Sequence, residues 1–324
     1  MSGGRFIVTG ATGFLGGALV RRLLAEGHEV VALGRQAEAL LSLARDGARA
    51  IRCDLAKQSA LPEPVAADVF VHCAALSSPW GRYADFHAAN VIGTQNALAM
   101  AKAAGVKRFV HISTPSVYFR FEDRTALRED APLPVPVNAY AATKRQAEEL
   151  VRKQDALDPI ILRPRGIYGA GDTALMPRLL RVARKRALPL MRHGRAATDL
   201  THVDDVVGAV MAAANAGKIS QRVFNVSGGV ALNVREVIER AGERAGVPVR
   251  WRSMSAPVVL GAVRLIEGLA KIAPGRPEPL TTAYSVALLA YTQTLDISTA
   301  KAVLGWTPRI GFEDGLARTF EAQT

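Results

Sequence analysis

Two side chains suited to proton transfer lie one helical turn apart in the sequence. Residues 140 to 144 read YAATK, which places Tyr140 and Lys144 on the same face of a helix. A lysine ammonium near a phenol favours the phenolate and lowers the pKa of tyrosine from about 10, so that a proton can move near neutral pH. The pair predicts acid–base catalysis, and a chance surface arrangement is the competing interpretation.

Hydroxyl groups are concentrated upstream of this pair, directly after an apolar run. Residues 111 to 119 read HISTPSVYF, with hydroxyls on Ser113, Thr114, Ser116 and Tyr118. Oriented hydroxyls can polarise a substrate carbonyl, and they can equally satisfy backbone groups where a strand ends. The residue types alone leave both roles open.

A glycine-rich segment after the first apolar run predicts a nucleotide-binding loop. In TGATGFLG, three glycines stand three residues apart before a helical pattern that begins near Gly17. Glycines let the backbone approach a pyrophosphate, whose charge is met by the free N–H groups and the dipole of the following helix. The position after an N-terminal strand predicts a dinucleotide site. Its candidate cofactor-binding residues are Gly10, Thr12, Gly13, Phe14, Leu15 and Gly16.

The end of the second predicted strand bears on the choice of cofactor. An NAD site usually carries an acid about 20 residues beyond the loop, where it binds the adenosine ribose. Here the strand ends in VVALGRQ, so Gly34 and Arg35 stand in that place. An arginine can bind a 2′-phosphate in a bidentate manner. We therefore predict NADP, with NAD as the alternative if Arg35 is only a solvated surface charge.

Short apolar runs alternate with helical patterns over the first half of the chain. This alternation is typical of βαβ units and predicts an α/β fold with a doubly wound parallel Rossmann sheet. A later run at 223–226 is expected to return to the same sheet. The predicted strands lie at 5–9, 29–33, 50–53, 69–73, 108–112 and 159–162.

The pattern changes after Arg163, where Pro and Gly punctuate RPRGIYGAGD and a basic helical stretch follows over 176–186. We predict a dinucleotide-binding domain at 1–175, to which 198–228 return, and a smaller C-terminal substrate lobe at 176–197 and 229–324. One helix of this lobe carries two stripes, for which core packing is favoured over a membrane-surface anchor. The apolar stripe is Val259, Val263, Ile266, Ala270 and Ala273, and the charged stripe is Arg264, Glu267 and Lys271.

Composition excludes several classes of protein. No run approaches the roughly 18 apolar residues of a membrane span, and no apolar signal core precedes the first strand, so we expect a cytoplasmic protein. Cys53 and Cys73 make neither a disulfide framework nor a metal cluster, and no metal is predicted. The net charge of +12 would attract anionic ligands. Because no nucleic-acid module is present, a phosphate-rich cofactor or an acidic small-molecule substrate is the expected partner.

Taken in order along almost the whole chain, these motifs resemble the extended short-chain dehydrogenase/reductase family, of the NAD-dependent epimerase/dehydratase type. The matching segments are TGATGFLG, HCAA, NVIGTQNAL, HISTPSVY, YAATK, LRPRGIYGAGD, LTHVDDVV and LDISTAKAVLGWTPR. The resemblance implies hydride transfer at a nicotinamide, with Tyr140 as proton donor or acceptor and Lys144 holding the nicotinamide ribose. It makes a homodimer plausible. Further cofactor contacts are implied at Asp54, Leu55, Ala74, Ala75, Pro164 and Ile167.

The resemblance also implies a third catalytic hydroxyl at Thr114, four residues before the tyrosine of the VY pair. Ser113 is the nearest rival, and Ser116 is expected to cap the turn. Sugar-nucleotide dehydratases of this family place an Asp–Glu pair directly after the threonine, whereas Pro115 and Ser116 stand here. Neither residue can shuttle protons as carboxylates do, which argues against a dehydratase.

Two further segments concern the substrate. Sugar-nucleotide members commonly carry an arginine that binds the diphosphate, ahead of the segment that corresponds to ATDLTHVDD. Thr198 stands in that place, and Arg195 is the residue that might substitute. The tail over 276–296 is more similar to 3β-hydroxysteroid dehydrogenases and β-keto acid reductases. The helix over 259–273 is expected either to cover a hydrophobic substrate or simply to pack.

We expect the loop that contains Ser78, Pro79 and Trp80 to line the substrate pocket. The alternative is that this loop is purely structural. The residues and the family resemblance together imply an NADP-dependent oxidoreductase that transfers a hydride between nicotinamide and a secondary alcohol or ketone carbon. The expected substrate is a hydrophobic hydroxy or keto compound. The alternative is an NDP-sugar 4-epimerase with tightly bound NAD.

Overall fold

The computed structural model describes residues 3–275 and 277–321. Arg276, the first residue of the tail over 276–296, lies outside the described residues. The strands are β1 (Arg5–Thr9), β2 (Glu29–Gly34), β3 (Arg49–Arg52), β4 (Val69–His72), β5 (Arg108–Ile112), β6 (Arg124–Leu127), β7 (Ile160–Pro164), β8 (Ile167–Tyr168), β9 (Leu188–Leu190), β10 (Ala197–Thr198), β11 (Thr201–His202), β12 (Val223–Val226), β13 (Leu232–Asn233), β14 (Trp251–Ser253) and β15 (Gln293–Leu295).

The helices are α1 (Phe14–Ala25), α2 (Ala37–Arg45), α3 (Tyr83–Phe86), α4 (Gly93–Ala103), α5 (Ala139–Arg152), α6 (Met176–Lys185), α7 (Val203–Asn215), α8 (Val234–Arg244), α9 (Ala256–Ile272), α10 (Ala283–Ala290), α11 (Ser298–Leu304) and α12 (Phe312–Glu321). A π-helical segment, His87–Ile92, joins α3 to α4. None of the helices in the described residues has the length and apolarity needed to cross a bilayer.

Seven parallel strands form the central sheet in the order β12-β7-β5-β4-β1-β2-β3. The chain runs outward from β1 in one direction and then restarts at β4 in the other. Ligands of open α/β sheets bind outside the carboxyl ends of the strands at such a reversal. The predicted fold class, the six predicted strands and the return of 223–226 are therefore confirmed.

Both faces of the central sheet are covered, which explains why most residues of its inner strands are apolar. On β1, Phe6 and Val8 belong to one buried cluster, while Ile7 between them belongs to the other. Side chains of a strand point alternately to opposite faces, so this division requires helices on both sides. Helices α1 and α7 supply the first cluster, and α4 supplies much of the second.

The later part of the chain builds further clusters. A four-stranded sheet has the order β13-β10-β15-β6, and helices α6 and α8 share a buried cluster that includes Leu180 and Ile238. A separate cluster joins α9 to α10 through residues such as Val259 and Val286. The assignment of 1–175 with 198–228 to one domain, and of 176–197 with 229–324 to another, stays a prediction.

Candidate active site

Helix α5 sets the spacing of the two predicted catalytic residues on it. Asn138 caps the helix, since its side-chain oxygen accepts a hydrogen bond from the backbone N–H of Ala141 at 2.8 Å. The cap places Tyr140 in the first turn and Lys144 in the next. Tyr140 lies at the wall of a large cavity, whereas Lys144 is buried beneath it.

The Tyr140 hydroxyl forms hydrogen bonds with the side chains of Thr114 and Ser77. Burial raises the pKa of Tyr140 above its usual value, and the two hydrogen bonds only partly offset that effect. From the sequence we expected Lys144 to lower this pKa, and the structure contradicts that expectation. The reason is that the desolvation of the phenol dominates while the ammonium is held elsewhere, so Tyr140 keeps its proton at neutral pH.

The ammonium group of Lys144 is bound at the end of β5. It donates a hydrogen bond to the carbonyl oxygen of Ile112 at 2.7 Å and lies 3.2 Å from Nε2 of His111. Burial is the main cause that lowers the pKa of Lys144 to about 8, with Glu148 acting in the opposite direction. Burial also lowers the pKa of His111 well below its usual value, so this histidine is neutral and can accept from the ammonium.

Thr114 connects Tyr140 to two further hydroxyls. It caps the short 3-10 turn Pro115–Tyr118, because its oxygen accepts a hydrogen bond from the backbone N–H of Ser116 at 3.1 Å. Its own hydroxyl donates to the Ser116 hydroxyl at 3.0 Å, which lies 2.8 Å from that of Tyr284. Pro115 occupies the first position of the turn, where its fixed φ is favourable and no N–H is needed.

The other hydroxyls of the HISTPSVYF segment have structural partners. Ser113, the rival of Thr114, donates to the buried carboxylate of Glu148. Tyr118 donates to the side-chain oxygen of Asn225 at 3.1 Å and accepts from Arg163. Of the two candidates for the third catalytic hydroxyl, the structure therefore brings only Thr114 to Tyr140.

The glycine loop fits a pyrophosphate. A Cβ at Gly10 would lie 2.7 Å from the backbone nitrogen of Ala74, and one at Gly16 would lie 2.2 Å from the carbonyl oxygen of Gly10. Gly13 precedes α1 without a side-chain cap, and the first turn of α1 contains no acid. The N–H groups at this helix end are thus left for an anionic ligand, as the cofactor would require.

A cavity of about 240 Å³ extends from this loop along the carboxyl ends of β1, β2 and β4. Among the residues that the structure describes, the predicted cofactor contacts outside its lining are Phe14, Leu15, Gly16, Tyr140, Lys144, Pro164 and Ile167. Those that line the cavity are Gly10, Thr12, Gly13, Arg35, Asp54, Leu55, Ala74 and Ala75. The lining thus brings the glycine loop together with Asp54 and Arg35, which are groups that could hold the adenosine diphosphate part of the cofactor.

The end of β2 lacks the acidic residue that is usual in an NAD site, and the structure explains why. A Cβ at Gly34 would lie 2.5 Å from the Cγ2 atom of Thr12, so an acidic side chain at this position would require Thr12 to move. Arg35 lies next to it at the rim of the same cavity and is exposed. An arginine in this position is available to a phosphate on the adenosine ribose.

A second cavity, of about 900 Å³, has Tyr140 in its lining. Of the loop residues expected here, Pro79 and Trp80 line it, whereas the Ser78 hydroxyl donates to the backbone oxygen of Trp80 at 2.8 Å. The other lining residues include Arg82, Tyr83, Asp85, Phe86, Phe121, Val137, Arg264, Glu267, Lys271 and Tyr284. Helix α9 therefore lines this cavity with its charged stripe rather than its apolar one, which corrects the expectation of an apolar cover.

Thr198 stands at the position where sugar-nucleotide members carry an arginine for the diphosphate, and in this structure its side chain binds another residue. The Thr198 hydroxyl accepts two hydrogen bonds from Arg165, from Nε at 3.1 Å and from a terminal nitrogen at 3.0 Å. Arg165 is buried and also contacts Gln293. Arg195 is exposed and, within the described part of the chain, does not line the 900 Å³ cavity. Neither Thr198 nor Arg195 therefore offers a free group for a diphosphate in this cavity.

Three residues near the site were not singled out in the sequence. Ser77 contacts the Tyr140 hydroxyl, and Tyr284 lies at the cavity and contacts Ser116. Asn90, in the π-helical segment, accepts from the backbone N–H of Leu76 at 2.7 Å and donates to Thr143 on α5 at 3.0 Å. These contacts join distant segments. Asn90 opens the NVIGTQNAL segment and Tyr284 lies in the tail, so both were near a sequence signal, whereas Ser77 was not.

No group of three or more His, Cys, Asp or Glu side chains within 3–275 and 277–321 could hold a metal ion. Cys53 and Cys73 are free thiols, and burial raises the pKa of Cys73 to about 12. A reactive thiolate is thus disfavoured at neutral pH.

Known proteins share both the sequence and the architecture of this chain. A 2-alkyl-3-oxoalkanoate reductase of Stenotrophomonas maltophilia (strain K279a) is 33% identical over 329 residues, covering 97% of this chain and 98% of that protein. A 4-hydroxy-2-methyl-3-oxo-4-farnesyl-3,4-dihydroquinoline-1-oxide ketoreductase of Stigmatella aurantiaca is 33% identical over 316 residues, covering 96% of this chain and 94% of that protein. The structure of MoeE5 in complex with UDP-glucuronic acid and NAD is 28% identical, with a TM-score of 0.73 over 99% of both chains.

Sterol dehydrogenases also occur among the relatives. The decarboxylating sterol-4-alpha-carboxylate 3-dehydrogenase of Saccharomyces cerevisiae (strain ATCC 204508 / S288c) is 31% identical over 270 residues, covering 78% of this chain and 76% of that protein. The resemblance to extended short-chain dehydrogenases/reductases is thereby confirmed, as is the prediction of an enzyme. The sequence model of the NAD dependent epimerase/dehydratase family matches residues 6–227. With its glycine loop, its tyrosine–lysine helix and this match, the chain belongs to that NAD-dependent family of enzymes.

Proposed function

We propose that this protein is an NADP-dependent reductase that transfers a hydride from nicotinamide to the ketone carbon of a hydrophobic substrate, or the reverse from a secondary alcohol. One observation carries the proposal: the hydroxyls of Tyr140 and Thr114 are hydrogen-bonded to each other beside a cavity of about 900 Å³. Tyr140 lines the cavity, and the buried Thr114 hydroxyl contacts the Tyr140 hydroxyl. An oriented hydroxyl on the cavity wall, supported by a second one, is what a reacting carbonyl oxygen needs.

The roles of the side chains follow from their protonation. The nicotinamide, when bound, supplies or accepts the hydride. Because burial raises the pKa of Tyr140, this residue holds its proton and can donate it to the carbonyl oxygen during reduction. When the substrate binds, the Thr114 hydroxyl turns its proton from Ser116 to the same oxygen, and the Lys144 ammonium holds the nicotinamide ribose. Reduction of a ketone needs the phenol in this protonated form, which is the form present at neutral pH.

The NADP preference is supported by the end of β2. Gly34 leaves no room for an acid unless Thr12 moves, and Arg35 is exposed at the cavity rim. A guanidinium and a phosphate form a charge-assisted pair that an NAD ribose hydroxyl cannot offer. NAD remains the alternative cofactor.

The chemistry of the larger cavity supports a substrate with an apolar body and an acidic group. Trp80, Phe86 and Phe121 supply aromatic surface. The Arg264 guanidinium lies over the Phe121 ring at 4.6 Å, where it can meet a carboxylate at the cavity mouth. The relative from Stenotrophomonas maltophilia is named for a substrate of this kind, a 2-alkyl-3-oxoalkanoate.

An NDP-sugar 4-epimerase is the second candidate, and the likeness to MoeE5 bound to UDP-glucuronic acid and NAD favours it. The contact between Arg165 and Thr198 argues against it, since it occupies the position where those members bind the diphosphate. A homodimer belongs to our proposal on the family resemblance alone, and sedimentation equilibrium of the purified protein tests it.

A substrate screen separates the two candidates. We would follow nicotinamide absorbance with NADPH and with NADH in the presence of 2-alkyl-3-oxoalkanoates, 3-ketosterols and UDP-sugars. The proposal predicts net oxidation of NADPH with a keto compound. Conversion of UDP-sugars without net change in absorbance, by protein that retains stoichiometric NAD through purification, would contradict it and establish the epimerase.

A further inference from the structure

Helix α9 presents an apolar stripe to solvent, and we propose that this stripe is a docking surface for an anionic lipid bilayer. The α9 stripe consists of Val258, Leu265, Leu269 and Ile272, which follow one another at intervals of seven, four and three residues. At 3.6 residues per turn these positions lie along one side of the helix. Their exposed fractions are 66%, 67%, 57% and 81%.

The other two sides of α9 are both in use: one packs against α10 and the other lines the large cavity. Val259, Leu260 and Val263 are buried and pack in the cluster shared with α10. Arg264, Glu267 and Lys271 line the 900 Å³ cavity. The α9 stripe is the third side. Ile266, expected on the buried side from its spacing, is 52% exposed and borders the stripe.

A surface helix normally turns its polar side to water, so this arrangement requires an explanation. Large apolar side chains exposed in one row lose the free energy that burial would provide. Five of the exposed large hydrophobic residues in the described part of the chain lie on this one helix. Core packing explains only the side that faces α10.

The charges beside the stripe indicate which kind of partner binds to it. Arg264 and Lys271 are exposed on α9 next to the stripe. Glu267, the acid between them, is partly buried and accepts a hydrogen bond from the backbone N–H of Ala283 at 2.8 Å. The outward charge of the helix is therefore positive, and the whole chain carries +12. Arg264 and Lys271 both lie on the side that faces the cavity, and an apolar row with cations along one edge matches the acyl boundary and headgroups of an anionic leaflet.

The size of the stripe argues against a second copy of the chain as the occupant. A stable protein interface uses roughly 20–30 residues on each side, whereas the α9 stripe and Ile266 provide five apolar side chains on one helix. A bilayer needs only a narrow apolar row on a helix that lies in its surface plane. The 17 residues of α9 are consistent with a helix that lies on the membrane rather than one that crosses it.

The position of the stripe also links it to the substrate cavity, because the charged side of the same helix lines that cavity. If the proposed function holds, a hydrophobic substrate could enter from the lipid. The docking surface itself does not depend on that function, because lipid binding can be measured without turnover.

Vesicle flotation tests the proposal on the full-length protein. We would compare vesicles of phosphatidylcholine alone with vesicles of phosphatidylcholine and phosphatidylglycerol in equal amounts, at low and at physiological salt. We expect binding to the anionic vesicles that weakens with salt. The double variant Leu265→Glu/Leu269→Glu should bind roughly tenfold or more weakly, because it places carboxylates at the lipid boundary. The matched control is Leu41→Glu, an exposed leucine on α2 that should leave binding unchanged.

Each outcome decides the question. Loss of binding in the double variant alone supports the proposal, and so does a partial loss in the milder Leu265→Ser/Leu269→Ser, which guards against misfolding of the first. Absence of wild-type binding to anionic vesicles overturns it. Equal binding by wild type and both α9 variants overturns it as well, since charge alone would then explain the binding. A dimer that dissociates in the α9 variants, without any vesicle binding, assigns the surface to a second copy instead.

Discussion

The buried ammonium of Lys144 allows a quantitative prediction, because its burial should cost stability. The fold lowers the pKa of Lys144 from 10.5 to about 8. One pKa unit corresponds to about 1.4 kcal/mol, so holding the charged form in the fold at pH 7 costs about 3 kcal/mol. Replacing Lys144 by Met removes the charge at similar length but leaves the carbonyl of Ile112 without its donor, which costs roughly 1–3 kcal/mol.

The pH dependence separates these two effects. Below pH 8 the lysine is charged in both the folded and the unfolded chain, and the wild type bears the full penalty. Between pH 8 and pH 10.5 the folded form loses its proton first, so the wild type gains about 3 kcal/mol relative to the variant across this window. The lost hydrogen bond acts on the variant at every pH. The free energy of unfolding of Lys144→Met minus that of wild type should therefore fall by about 3 kcal/mol over the same range.

Urea unfolding at a series of pH values measures this difference. Lys102→Met on α4 is the matched control, because Lys102 is exposed, and its difference from wild type should stay within about 0.5 kcal/mol at all pH values. A difference for Lys144→Met that is flat with pH, or that rises, would refute the reasoning that burial sets this pKa. The variant should also lose activity, since no ammonium remains to hold the nicotinamide ribose.

Three further predictions concern the neighbours of the site. Glu148→Gln leaves the buried Arg163 guanidinium without its carboxylate and should lower the free energy of unfolding by roughly 3–5 kcal/mol in urea; a loss below about 1 kcal/mol would contradict the assignment of this pair to the core. Arg35→Ala should raise KM for NADPH about tenfold and leave KM for NADH nearly unchanged, whereas equal effects on both would remove Arg35 from the phosphate site. Tyr284→Phe breaks the hydrogen bond to Ser116 and should lower kcat/KM about fivefold with NADPH affinity unchanged; an unchanged kcat/KM would exclude Tyr284 from substrate positioning.

The sequence was most informative where a local pattern determines a local structure. The apolar runs predicted the ends of β1 to β5 and of β7 to within two residues. The prediction succeeded because the spacing of hydrophobic residues is enough to distinguish these strands from the helices between them. The glycine loop was equally readable, since close backbone approach at Gly10 and Gly16 excludes a side chain. The YAATK helix was identified correctly as well.

Contacts between distant segments could not be read in this way. The choice of Thr114 over Ser113 came from family resemblance, and only the structure shows Ser113 turned towards Glu148, which comes from another element. The pKa of Tyr140 was expected to fall because the lysine is one turn away, but the direction depends on how deeply the phenol is buried. Helical spacing showed that α9 has an apolar and a charged side without showing which one meets solvent.

Turnover of Tyr140→Phe tests the central claim most directly. With NADPH and a 2-alkyl-3-oxoalkanoate, we predict that kcat falls by about 10²- to 10⁴-fold while the affinity for NADPH, measured by its fluorescence, is unchanged. Tyr83→Phe is the matched control, because Tyr83 lines the same cavity and its hydroxyl contacts Gln146 rather than Thr114. Full activity of Tyr140→Phe, or an equal loss in Tyr83→Phe, would contradict the proposal that the Tyr140 hydroxyl delivers the proton.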